Sequence, residues 1–167
     1  DPDRALVAMV LANDAEASTG AGDPLDQGLL RFAAARGVDP AAVRAKCRTV
    51  SGRSFDSAWK YMRATVEAEG RTASYLKGAP EILLGRCDLG TDARQAWMAK
   101  ADAYAAEGLR VLAVAWADGE VEDRLTCLGL VTFWDPPRPE VAEAMRQAHA
   151  AGMRVVMITG DHPGTAL

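Results

Sequence analysis

Apolar residues at Leu6, Val7, Met9, Val10 and Leu11 recur at helical spacing, and the pattern breaks at Ser18-Thr19-Gly20-Ala21-Gly22, a stretch with the composition of a loop. Asp23-Pro24 and Asp39-Pro40 each pair a capping side chain with a first-turn proline. They predict one helix through Phe32, stopped by Gly37, and a short one after it. From Phe55 the grammar changes. Tyr61 to Val66 and Thr72 to Leu76 are rich in β-branched and aromatic residues and flank a turn at Glu69-Gly70, which predicts a hairpin. A short helix from Pro80, a longer one from Thr91 to Glu107 closed by Gly108, and strands Leu109–Trp116 and Leu125–Phe133 about Asp118-Gly119 follow. Helices on an antiparallel sheet make an α+β domain.

The last stretch reads differently. Strand Leu128–Phe133, helix Pro139–Ala151 stopped by Gly152, and strand Arg154–Ile158 form a β-α-β succession of the kind that builds a parallel sheet. One such unit is not a domain. The chain is therefore expected to cross a boundary near Thr132–Pro137, with residues 1–131 as one domain and 132–167 as hinge and part of a second.

With 167 residues, 49% hydrophobic and 25% charged, the chain has the composition of an ordinary globular protein. A net charge of −4 without a block of like charges argues against a nucleic-acid surface, which needs clustered Lys and Arg. Cys47, Cys87 and Cys127 lack the spacing of a zinc site or a disulfide framework, so reduced thiols in a cytosolic setting are expected. No stretch approaches the ~20 apolar residues of a membrane span, and Asp1-Pro2-Asp3-Arg4 has no signal-peptide pattern.

Three motifs carry the chemistry. Phe55-Asp56-Ser57 with Lys60 offers an aromatic face beside an ammonium. Lys77-Gly78-Ala79-Pro80-Glu81 sets two residues of minimal side chain between a charge and a helix start, so that a planar ligand could approach the backbone. Asp135-Pro136-Pro137-Arg138 leads to Thr159-Gly160-Asp161, a hydroxyl and a carboxylate after the apolar run Val155-Val156-Met157-Ile158. In this order and spacing they resemble the P-type, cation-transporting ATPases, with the final segment most similar to the calcium-pump-like, type II branch.

The resemblance implies a nucleotide-binding domain inserted into a phosphorylation domain of haloacid-dehalogenase-like, Rossmann-like fold, to which the chain returns through the DPPR hinge. It implies that Phe55 stacks on the adenine of ATP, that Lys60, Lys77 and Arg110 face the nucleotide, that Gly78 and Ala79 line the pocket, and that Asp26 accepts a hydrogen bond from the adenine amino group. Asp135 and Arg138 would be hinge residues. Thr159, Gly160 and Asp161 would stand near the transferred phosphoryl group and magnesium. The parent enzyme would be a membrane pump, with phosphorylation, actuator and transmembrane domains as partners and this segment on the cytoplasmic face.

The chain also departs from that pattern. Leu25-Asp26 stands where Thr then Glu is usual, and Ala58-Trp59 where an acidic residue and an arginine are common; Ser57 replaces an arginine of some calcium pumps. Trp59 either packs on the sheet or widens the aromatic surface. The phosphorylated Asp-Lys-Thr-Gly-Thr segment and the Gly-Asp-Gly-x-Asn-Asp segment that helps bind magnesium are not present. No catalytic residue of its own is therefore expected here, only a pocket that holds ATP. Two other readings stay open: a haloacid-dehalogenase-like phosphatase, for which Asp1-Pro2-Asp3 has the nucleophile spacing, and a regulatory module that kept the fold without using ATP. The transported ion leaves no trace in these residues.

Overall fold

Aspartate caps start two of the helices. The Asp23 carboxylate accepts from the Leu25 N–H at 2.8 Å and that of Asp39 from the Ala41 N–H at 2.9 Å, each with proline in the first turn. The structure, a computed structural model, describes residues 2–16, 19–134, 138–156 and 158. The first three helices are α1 (Pro2–Leu11), α2 (Pro24–Ala35) and α3 (Pro40–Ala45). Then come strands β1 (Arg48–Arg53), β2 (Tyr61–Ala68) and β3 (Arg71–Gly78), helices α4 (Pro80–Arg86) and α5 (Thr91–Ala106), strands β4 (Arg110–Asp118) and β5 (Thr126–Phe133), and helix α6 (Val141–Ala150).

All five strands form one antiparallel sheet in sequence order. Strand alternation then divides its residues between two cores. Tyr61, Leu76, Ala113 and Ala115 point to the face covered by α4 and α5, where Leu83, Leu84 and Leu125 are buried. Val114 points to the other face, where Met9 of α1 and Leu29 of α2 meet it beside Phe133. A third cluster, of Val10, Ala15, Leu30 and Ala33, ties α1 to α2. Each buried leucine contributes about 1.5–3 kcal/mol of transfer free energy. The α+β architecture expected from the patterning is therefore present, including the hairpin, whose turn residues Glu69 and Gly70 both have positive φ, 52° and 72°.

Two elements differ from the sequence expectation. β1 was not predicted: Arg48-Thr-Val-Ser-Gly-Arg53 has one large apolar residue and no alternation, and it is a strand because it completes the sheet edge against β2. At the other end, the β-α-β unit does not form among the described residues. β5 runs antiparallel to β4, α6 is present but buries none of its residues, and 153–156 and 158 hold no strand. An apolar run becomes a strand only when a neighbour satisfies its backbone groups. The ladder keeps Thr132 and Phe133 paired with Val111 and Arg110. Asp135, Thr159, Gly160 and Asp161 lie outside the described residues; Arg138 is exposed.

Candidate functional site

The C-terminal end of β3 gathers most of the expected residues. Lys77 faces the α1–α2 side of the sheet opposite Met62 of β2, and its ammonium forms an ion pair with the Asp26 carboxylate of α2. The pair is deeply buried, Lys77 at 5% exposure and Asp26 at 9%. Where the resemblance implies an ammonium facing the nucleotide, the Lys77 ammonium here faces Asp26. Burial pushes the Lys77 pKa below its ordinary value, while the hydrogen bond and charge of Asp26 pull it back up. The Asp26 carboxylate also accepts from the Asp14 N–H at 3.2 Å, and the Asn13 amide donates to the Asp26 carbonyl at 2.9 Å. Arg44 of α3 holds this segment from outside, donating to the carbonyls of Ala15 at 2.9 Å and Asn13 at 3.0 Å.

Gly78 and Ala79 lie against the start of β2. The Ala79 N–H donates to the Lys60 carbonyl at 2.9 Å. A Cβ on Gly78 would stand 2.5 Å from that carbonyl oxygen and 2.5 Å from the Tyr61 Cβ. Glycine is thus required here by the chain's own backbone approach, a reason the sequence reading had assigned to a ligand. Lys60 has φ of 58° and an exposed ammonium 3.4 Å from Glu81, the acidic residue in the first turn of α4. Arg110 opens β4, three residues before the Ala113 that pairs with Gly78, and is exposed at the same end of the sheet.

Phe55 stands out of the core. It is 55% exposed on the loop between β1 and β2. Local hydrogen bonds close that loop: the Asp56 carboxylate accepts from the Ala58 N–H at 2.7 Å, and the Asp56 carbonyl from the Lys60 N–H at 2.7 Å. Trp59 packs on the sheet, against the Tyr61 cluster, with its indole N–H donated to the Ser54 carbonyl at 3.3 Å. Arg53 lies over its ring at 4.9 Å and donates to Glu122 at 3.1 Å.

The register and contacts therefore bring Asp26, Lys60, Lys77, Gly78, Ala79 and Arg110 to one end of the sheet, with Phe55 five residues before Lys60. Beside them is a hollow of about 260 Å³ over β1 and β2, lined among others by Asn13, Asp14, Ser54 and Met62. None of the seven expected residues lines it. Its links to them are Met62, cross-strand from Lys77, Asp14, bonded to Asp26, and Ser54, next to Phe55. Sequence reading missed Met62, Arg53 and Glu122; the alternation Tyr61-Met62-Arg63 signals Met62's face, but nothing local signals the other two.

The sequence pattern of the family described as "P-type ATPase, cytoplasmic domain N" matches residues 3–140. The chain is similar to Calcium-transporting ATPase 1 of Lactococcus lactis, 32% identical over 96% of this chain and 21% of that protein. It is similar also to Cation-transporting ATPase pma1 of Synechocystis, 36% identical, and to the Calcium-transporting ATPase of Bacillus subtilis, 37% identical, each over 87% of this chain and 18% of the relative. The chain thus spans about a fifth of the length of these relatives. Those relatives are named as ATPases, and no helix among the described residues is long and apolar enough to cross a membrane. A five-stranded antiparallel sheet flanked by helices, a Lys-Gly-Ala-Pro-Glu segment at the end of its third strand and a family match over most of the chain establish that this chain belongs to the cytoplasmic N domains of the P-type ATPases.

Proposed function

We propose that this chain binds ATP at the end of the sheet where β2, β3 and β4 meet Phe55, and that in the parent pump it delivers the γ-phosphoryl group to an aspartate outside these residues to drive cation transport. The observation that supports the reading is that exposed Lys60 and exposed Arg110 lie at the end of the sheet where the Ala79 N–H meets the Lys60 carbonyl, with exposed Phe55 on the loop that leads into Lys60. In this reading Phe55 is the adenine platform, and Lys60 and Arg110 meet the phosphates as a point charge and a fork of donors. Lys77 and Asp26 stand behind the site as a buried pair, and Asp26 reaches the adenine amino group only with an oxygen shared with Lys77 or the Asp14 N–H.

Residues 1–131 form the nucleotide domain in this proposal, and 132–167 form the hinge and the start of the phosphorylation domain, with Asp135 and Arg138 at the crossing. Thr159, Gly160 and Asp161 then approach the phosphoryl group. Phosphorylation, actuator and transmembrane domains complete the pump, with this segment on the cytoplasmic side. Among the described residues no group of three or more acidic, His or Cys side chains gathers as a metal site. Magnesium in this reading arrives on the triphosphate.

One observation favours the rival of a regulatory module: Lys77 and Asp26 already satisfy each other. The phosphatase reading loses ground, because Asp3 lies in the first turn of α1 rather than beside a strand. Titration calorimetry with ATP separates the remaining two. Phe55→Ala should weaken ATP binding by about fivefold to ~150-fold, the equivalent of a stacking contact of about 1–3 kcal/mol, with the fold retained. Unchanged affinity would remove Phe55 from the site, and no binding by the unaltered chain at millimolar ATP would favour the regulatory module.

A further inference from the structure

We infer that Glu122, Arg53 and Trp59 form a positioning relay for Phe55, so that affinity for the adenine ring depends on the residues that hold the loop carrying it. The inference rests on the reading of Phe55 as the adenine platform. The loop from Ser54 to Lys60 is closed at both ends: the Trp59 indole N–H spans back to the Ser54 carbonyl at 3.3 Å, and Asp56 ties Ala58 and Lys60. Phe55 is therefore carried between two anchored neighbours. Its direction depends on where Trp59 is held.

Trp59 is held from two sides. It packs against the cluster around Tyr61 and Leu83, and the Arg53 guanidinium covers its ring at 4.9 Å, a cation–π distance. Covered by Arg53 and packed on the cluster, Trp59 serves as a strut rather than as a second stacking surface. Arg53 is itself fixed by Glu122 at 3.1 Å, and Glu122 by the Tyr61 hydroxyl at 2.7 Å and Arg63 at 3.5 Å. The β4–β5 connection thus reaches across the sheet to the loop that presents Phe55. Because Phe55 is mostly exposed, no core packing fixes its ring; the closed loop must do so.

The test uses the full chain, titration calorimetry and three probes: ATP, adenosine and inorganic tripolyphosphate. Arg53→Ala should weaken ATP and adenosine alike, by about fivefold, and leave tripolyphosphate unchanged. In a Phe55→Ala background the same change should have no further effect on adenosine, a coupling that general loss of structure would not produce. Should Arg53→Ala fail to fold, Trp59→Phe, which keeps the packing and deletes the N–H, should weaken adenosine about twofold. Unaltered adenosine affinity in the variant that folds, equal losses for tripolyphosphate, or full additivity with Phe55→Ala would each overturn the relay. The two readings fail separately. Phe55→Ala without effect sinks the adenine platform and the relay with it, whereas a sensitive Phe55 beside a silent Arg53 sinks the relay alone.

Discussion

A lysine and an aspartate 51 residues apart in sequence meet as an ion pair, both almost fully out of solvent. Removing one charge of such a pair leaves the other buried without compensation, whereas removing both can be nearly neutral. Asp26→Ala should accordingly cost about 3–5 kcal/mol in urea unfolding, and Lys77→Met a comparable loss. Asp26→Leu with Lys77→Met should cost much less than the sum, since Met62 and Val114 offer apolar neighbours on either side of Lys77 in the sheet. Additive losses would mean that the two groups do not depend on each other. Their mutual satisfaction also has a functional side. In the proposed reading, a nucleotide that recruits Asp26 must share it with Lys77.

At the scale of elements, the strands were legible where their signals are local. Glu69-Gly70 between two β-rich runs gave the β2–β3 hairpin, and the Asp-Pro pairs gave α2 and α3. β1 was not legible, because an edge strand of mostly polar residues owes its existence to a partner strand. The expected strand from Arg154 is not seen among the described residues, for the complementary reason. Val155, Val156 and Ile158 are apolar, yet no ladder among the described residues takes them up, and Ile158 is 94% exposed. The site divides in the same way. Lys77-Gly78-Ala79 could be found as a motif, but Arg53 meets Glu122 across 69 residues, which no spacing rule encodes. Gly78 is set by the chain's own neighbours. Since the Lys60 carbonyl and Tyr61 occupy the space of its Cβ, Gly78→Ala should push β2 from β3 and destabilise the domain by about 1–3 kcal/mol. Amide exchange would then rise at Tyr61 and Ala79 ahead of the α1–α2 region, and uniform exchange across the sheet would argue against this local origin.

Across the whole molecule, the two helical layers are joined by the sheet, and one polar network closes the face that α4 and α5 leave open. Glu122 lies within reach of Arg53 and Arg63 from β1 and β2 and accepts from Tyr61, while Arg86 of α4 stacks over Tyr61 at 4.9 Å and bonds Asp123 at 2.9 Å. Burial alone would raise the Glu122 pKa, but the Tyr61 hydroxyl and the Arg53, Arg63 and Arg86 charges outweigh it and hold the carboxyl below the usual glutamate range. A carboxylate with a depressed pKa in the folded state binds fewer protons there than in the unfolded chain, so unfolding takes up a proton as the pH drops. Its stabilising contribution is then complete above the ordinary glutamate pKa and is lost as pH falls through the lower folded value. Glu122→Gln should therefore be less stable than the unaltered chain near neutral pH, with the gap closing as acidification takes the pH below the ordinary glutamate range. Urea midpoints taken across that range check the sign. Two parallel curves would mean that Glu122 carries no linked proton, and the network would then join β1, β2 and α4 by packing and neutral hydrogen bonds alone.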